Sequence, residues 1–259
     1  MLPPFEICRD HLERYKQKLE EIPRWRYYEN EWGNFQEYKQ GLETGGHSIL
    51  DDQHVAETAE HLKKFLDAFG ACRPGEVVEK EKLELKLRKI GHHYENIQCI
   101  TLGEGRIYTV RESLRAAYAA LYGVSTLDSD GDAKSLVVPK SKALMAIWGQ
   151  TPGFDKRVRY SFYDWRHHAG QQPLIHVRKW GPHAWRYSSE EFADMVEQLD
   201  QWVLKWPGIN GGKAFSSLDP KRPVGRIIDI IYWSHKDQHP GFSLHSEADR
   251  RNTLKTTTR

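Results

Sequence analysis

Apolar positions recur at helical spacing through most of this chain, and strand-like alternation is rare. Cys8, Leu12, Tyr15, Leu19 and Ile22 form the first such stripe, and Pro23 ends it. Residues 25–46 are aromatic, polar and glycine-containing, and read as an irregular connection with room for a short helix. Asp51 and Asp52 are N-cap candidates for a helix faced by Val55, Ala59, Leu62, Leu66 and Phe69, which closes near Arg73-Pro74-Gly75. Residues 76–90 place Leu83, Leu87 and Ile90 on one face. Residues 97–110 are less periodic and fit a strand pair or a loop, whereas Leu114, Ala117, Tyr118 and Leu121 mark a helix ended by Gly123.

Ser188 and Glu191 form a capping box before the clearest amphipathic helix in the chain. Its stripe is Phe192, Met195, Val196, Leu199, Trp202, Val203 and Trp206, and residues 207–212 break it. The buried run 225–233 (GRIIDIIYW) suits either helix or strand by periodicity. Asp229 within it needs an internal partner, such as Arg226 or a backbone donor. About six or seven helices with little strand predict a mainly α fold. The expected organisation is a helical domain over 1–242, with room for two lobes, and a polar tail over 243–259.

Composition narrows the partners. Lys+Arg 38 against Asp+Glu 36 gives a net charge of +2, and the mean hydropathy is −0.73. No run approaches the ~20 apolar residues that span a bilayer, and no signal-peptide core opens the chain. The cations are clustered: between Lys134 and Arg186 the only acids are Asp155 and Asp164. Cys8, Cys72 and Cys99 form no CxxC pair, which argues against a disulfide frame or zinc ribbon and for a cytoplasmic setting. The acidic loop 125–133 lacks the order of a calcium loop and reads as surface.

The stretch 138–159 (VPKSKALMAIWGQTPGFDKRVR) carries the sharpest chemistry. Pro139 suits a first helical turn, with Ala143, Leu144, Ile147 and Trp148 on one face. Lys140 and Lys142 near that helix start form a plausible phosphate clamp. Gly149 ends the helix, Pro152-Gly153 turns the chain, and Phe154 anchors the turn. Asp155 then stands where the next helix starts. It can cap that helix by accepting from Arg157 or Val158 N–H. The same placement lets its carboxylate stabilise an oxocarbenium-like sugar and orient a water.

Asp155-Lys156-Arg157-Val158-Arg159, preceded by a helix and a proline-containing loop, resembles the D-x-x-V-x-R pattern of the helix-hairpin-helix superfamily of DNA glycosylases. The resemblance implies a two-lobed helical fold, a catalytic Asp155, and a base flipped into a cleft between lobes. Lys140 stands nearest to the lysine that bifunctional members carry. The family's Leu-Pro-Gly-Val-Gly-like turn has no counterpart here, with residues 123–138 in its place, so a monofunctional reaction with water as nucleophile is the implied one. The implied partner is DNA, bound by a monomer that needs no cofactor.

Further DNA contacts are expected from Lys142, Arg157 and Arg159 to phosphates, and from Trp165 with Arg166 in the aromatic and basic stretch 160–185. The pairs His92-His93 and His167-His168 do not make a metal ligand set by themselves, and no metal site is expected. Abundant Trp and Tyr would suit a bulky modified base, in repair or in defence against phages with modified DNA. A catalytically inert helical nucleic-acid-binding or interaction protein is the alternative reading.

Overall fold

A computed structural model describes residues 5–69, 78–124, 135–155, 158, 186–205 and 212–238. Among them are nine α-helices, in chain order α1 (Phe5–Glu21), α2 (Pro23–Thr44), α3 (Val55–Ala68), α4 (Lys80–Ile97), α5 (Arg111–Ala120), α6 (Val137–Ile147), α7 (Ser189–Leu204), α8 (Gly212–Leu218) and α9 (Val224–Gln238). A 3₁₀ turn covers Ile107–Val110. Strand among the described residues is confined to a two-residue antiparallel ladder, Ser135–Leu136 against Arg186–Tyr187. The mainly α class therefore holds. None of the described helices is long and apolar enough to cross a membrane.

Several elements depart from the sequence expectations. Residues 25–46 are not an irregular connection but most of α2, a 22-residue helix. Pro23 ends α1 by starting its successor, a position where its missing N–H costs nothing. Trp25, Tyr28, Trp32 and Phe35 form the buried stripe of α2, and a Cβ at Gly33 or Gly41 would meet nothing within 4 Å among the described residues. Ile97 ends α4, and residues 98–110 make a loop and the 3₁₀ turn, not a strand pair. The run 225–233 is helical and lies inside α9.

The aspartates 51 and 52 do not cap α3 through their side chains. His54 is the N-cap residue, without a side-chain cap bond. The Asp51 carboxylate instead accepts the Ser48 amide at 2.8 Å, and Asp52 accepts from Arg88 at 2.6 Å. The capping box of α7 is present as expected: Glu191 N donates to Ser188 Oγ at 3.1 Å and Ser188 N donates to Glu191 Oε2 at 2.9 Å.

One hydrophobic cluster runs from Cys8 to Tyr232. Helices α1, α2 and α9 pack at one side of it, and α3, α4, α5 and α7 follow one another at the other. Helix α6 lies in the interior against α2, α3 and α5, buried on every face. A helix so placed must satisfy its last carbonyls internally. Gln36 Nε2 donates to Ala146 O at 3.1 Å, while Lys39 Nζ and Tyr94 Oη donate to Ile147 O at 2.6 and 3.2 Å. The Lys39 ammonium also suits the negative end of the helix dipole, although burial holds its pKa below the usual lysine value.

A carboxylate missed in the sequence closes the other side. Asp200 of α7 is fully buried and accepts three amides, Gly103 N at 2.6 Å, Gly105 N at 3.2 Å and Ile107 N at 3.2 Å. Gly103 (φ 90°) and Gly105 (φ 71°) supply the left-handed backbone that turns these amides toward one side chain.

Candidate active site around Asp155

Asp155 leaves a turn, residues 149–155, that is fixed from three directions. Gly149 ends α6 with φ 81°, and its carbonyl accepts Gly225 N of α9 at 2.9 Å. A Cβ on Gly225 would lie 2.5 Å from Thr151 N, so only glycine lets the backbones approach this closely. Gly153 N donates to Asp229 Oδ1 at 2.9 Å, and Phe154 N donates to Ser141 Oγ at 2.9 Å. The Phe154 ring is fully buried, edge-on to Phe192 with centroids 6.0 Å apart. This is the anchor expected of it.

The carboxylate itself is held on both oxygens. Val158 N donates to Asp155 Oδ1 at 3.0 Å, the N-cap geometry expected at this position. Asp155 Oδ2 lies 3.5 Å from Lys142 Nζ, and the aspartate side chain retains 19% of its exposure. Asp155 is thus an oriented carboxylate beside a cation and open to water on one side.

The two lysines do not form a surface phosphate clamp. Residues two apart on a helix face different directions, and both side chains here turn inward. Lys142, 1% exposed, places its ammonium 3.0 and 3.2 Å from the two oxygens of Asp229 and 4.0 Å from the centre of the Phe69 ring. Lys140, 2% exposed, lies with Nζ 3.8 Å from the centre of the Tyr118 ring. Lys142 therefore meets an internal carboxylate in place of a phosphate, and an aromatic face shields Lys140. The stem of Lys142 also occupies the space a side chain at residue 153 would need, which explains Gly153 in the turn.

Behind Lys142 the charges continue inward. Arg226 donates to Asp229 Oδ2 at 2.6 Å, to Glu29 Oε2 at 2.8 Å and to Tyr15 Oη at 2.9 Å. Arg222 donates to Glu29 Oε1 at 2.5 Å and pairs with Asp219. Asp229 thus has both kinds of partner that its buried position demanded, Arg226 and a backbone donor. Burial alone would push the Glu29 carboxyl upward, but the charges of Arg226 and Arg222 and their hydrogen bonds outweigh it and hold the pKa at about 2. Burial pushes the Tyr15 phenol up, so it stays neutral and donates to Glu29 at 2.8 Å. A narrow cleft on this side, lined by Tyr15, Tyr28, Phe69 and Trp233, has room for about one water.

Arg157, Arg159, Trp165 and Arg166 lie outside the described residues, as do Asp164, the stretch 160–185, His167-His168, the loop 125–133 and the tail 243–259. What the structure brings together is Asp155, Lys142 and Asp229, from three elements. The sequence pointed to the first two as chemistry and to the third as packing; the link between them joins residues 87 apart. Comparison of the chain with protein-family models, with curated proteins and with solved structures gave no match.

Proposed function

We propose that the protein is a DNA glycosylase that hydrolyses the N-glycosidic bond of a modified or damaged base, with Asp155 as its catalytic carboxylate. The observation that carries this reading is the setting of Asp155: a helix-capping carboxylate on a rigid turn, partly open to solvent, within D-x-x-V-x-R. A fixed negative charge stabilises the cation that develops on the sugar as the base departs, and it orients the attacking water on the opposite face. Rigidity matters because a preorganised charge needs no reorganisation in the transition state. Lys142 acts here as a positioning residue that holds one oxygen of Asp155, and phosphate contacts fall to Arg157 and Arg159.

The test is direct. The protein is incubated with duplex and single-stranded DNA carrying varied modified bases, then treated with alkali to cut at abasic sites. Asp155→Asn keeps the helix cap, because Asn caps as well as Asp, and removes the charge. Loss of at least 100-fold in base release with unchanged melting is expected. An Asp155→Asn variant of full activity would reject the assignment.

A second reading is favoured by one observation. The Lys142 ammonium is paired closely with Asp229 as well as lying near Asp155, so the whole constellation can serve as an internal ion network in a binding protein without catalysis. DNA binding by the wild type without base release on any substrate would support that reading.

A further inference from the structure

The connection between α2 and α3 gathers three side chains that glycosidic chemistry at Asp155 does not use. His47, Asp51 and His54 each offer a ligating atom, and these atoms lie within 4.8 Å of one another. We propose that they bind a divalent cation of the zinc class, through two imidazole nitrogens and one carboxylate oxygen. Mixed nitrogen and oxygen donors of this kind suit Zn²⁺ or Co²⁺ better than Mg²⁺ or Ca²⁺, which prefer oxygen alone.

The geometry needs little adjustment. Metal–ligand bonds of about 2.1 Å at tetrahedral angles set ligand atoms about 3.4 Å apart. The ligand atoms must therefore draw together by up to about 1.4 Å, and His47, which is exposed and has only a long 3.5 Å contact from Gln53 Nε2 at its Nδ1, can supply that movement. The other two donors are held. The Ser48 amide orients the Asp51 carboxylate at 2.8 Å while leaving lone pairs for a cation. The backbone around His54 is pinned by Tyr38 Oη donating to His54 O at 3.3 Å and by Thr58 Oγ1 donating to Ile49 O at 2.6 Å. Among the described residues, His54 Nε2 is shielded from solvent and has no hydrogen-bond partner. A polar nitrogen in that state is either a cost or a ligand.

Three protein ligands leave a fourth position for water or an outside oxygen. Bound there, the cation would clip the end of α2 to the start of α3 and stabilise the native state by an amount that grows with the logarithm of its free concentration over Kd. The site rests on its own residues and stands or falls separately from the role of Asp155.

The experiment titrates the full chain, wild type and variants, with Zn²⁺ by calorimetry and with Co²⁺ by visible absorption. The chain has 13 histidines, so the decisive quantity is the difference between variants. His47→Ala should fold with an unchanged metal-free melting temperature and bind Zn²⁺ at least tenfold more weakly at one site. His47→Ala/His54→Ala should lose that site, its Co²⁺ absorption band and the Zn²⁺-dependent rise in melting temperature. Equal stoichiometry and affinity in wild type and His47→Ala would overturn the proposal, as would a wild type that binds no Zn²⁺ at 100-micromolar concentrations (an order-of-magnitude threshold for a specific site).

Discussion

Asp229 of α9 accepts the amide of Gly153 at 2.9 Å, so one buried carboxylate ties the last described helix to the turn that presents Asp155. The same side chain neutralises two buried cations, Lys142 and Arg226. Truncating it leaves buried Lys142 with the 3.5 Å contact to Asp155 and makes Arg226 depend on Glu29 and Tyr15.

Asp229→Ala should therefore cost about 3–5 kcal/mol, the usual penalty for breaking a buried pair from one side. Lys142→Met should cost much less, about 1–2 kcal/mol, because Asp229 keeps Arg226 and the Gly153 amide. Urea unfolding of both variants measures the difference. Equal losses would mean that Asp229 does not hold the network together.

Acid should weaken the fold through Glu29. Its carboxyl is held down to about 2 in the folded chain against 4.5 for an ordinary glutamate, so folding is linked to its ionised form. That contribution is full above pH 4.5, drains as pH falls toward 2, and is on the order of 3 kcal/mol. Glu29→Gln should lose stability at neutral pH and show a flatter dependence between pH 5 and about 2. Parallel wild-type and variant curves from urea unfolding across that range would contradict the linkage.

Asp200 predicts a local effect. Asp200→Ala leaves the amides of Gly103, Gly105 and Ile107 without their shared acceptor and should cost about 3 kcal/mol or more. Asp200→Asn should also destabilise, since its NH₂ group must face at least one of these donors. Hydrogen exchange is the sharper readout. Protection of those three amides should fall further than protection in α3, and a uniform loss across the chain would point to general unfolding.

Local sequence signals suffice where the chemistry is local. The α7 capping box spans four residues, and the α1 stripe needs only its own period. Helix α2 is hard to see in the sequence although Trp25, Tyr28, Trp32 and Phe35 stand at helical intervals, because Gly33, Gly41 and dense polar residues obscure the pattern. The glycines lie off the buried stripe of α2, where a Cβ would meet no described neighbour within 4 Å, which only the packed structure shows. Lys140 and Lys142 look like surface cations by type. Their burial depends on Tyr118 and Asp229, partners brought by tertiary contact. His47, Asp51 and His54 belong to a loop whose path no periodicity describes, so their convergence was invisible before the fold.

The contacts of Arg226 with Glu29 and Tyr15 join residues 197 and 211 positions apart. During synthesis at 5–20 residues per second, Glu29 waits about 10–40 s for its guanidinium to be made. Until then α1 and α2 carry an acid whose folded surroundings are missing, and their aromatic faces lack α9. The first two helices are thus among the last parts of the chain to become secure, and a nascent chain stalled before residue 226 would leave them open to chaperones or proteases.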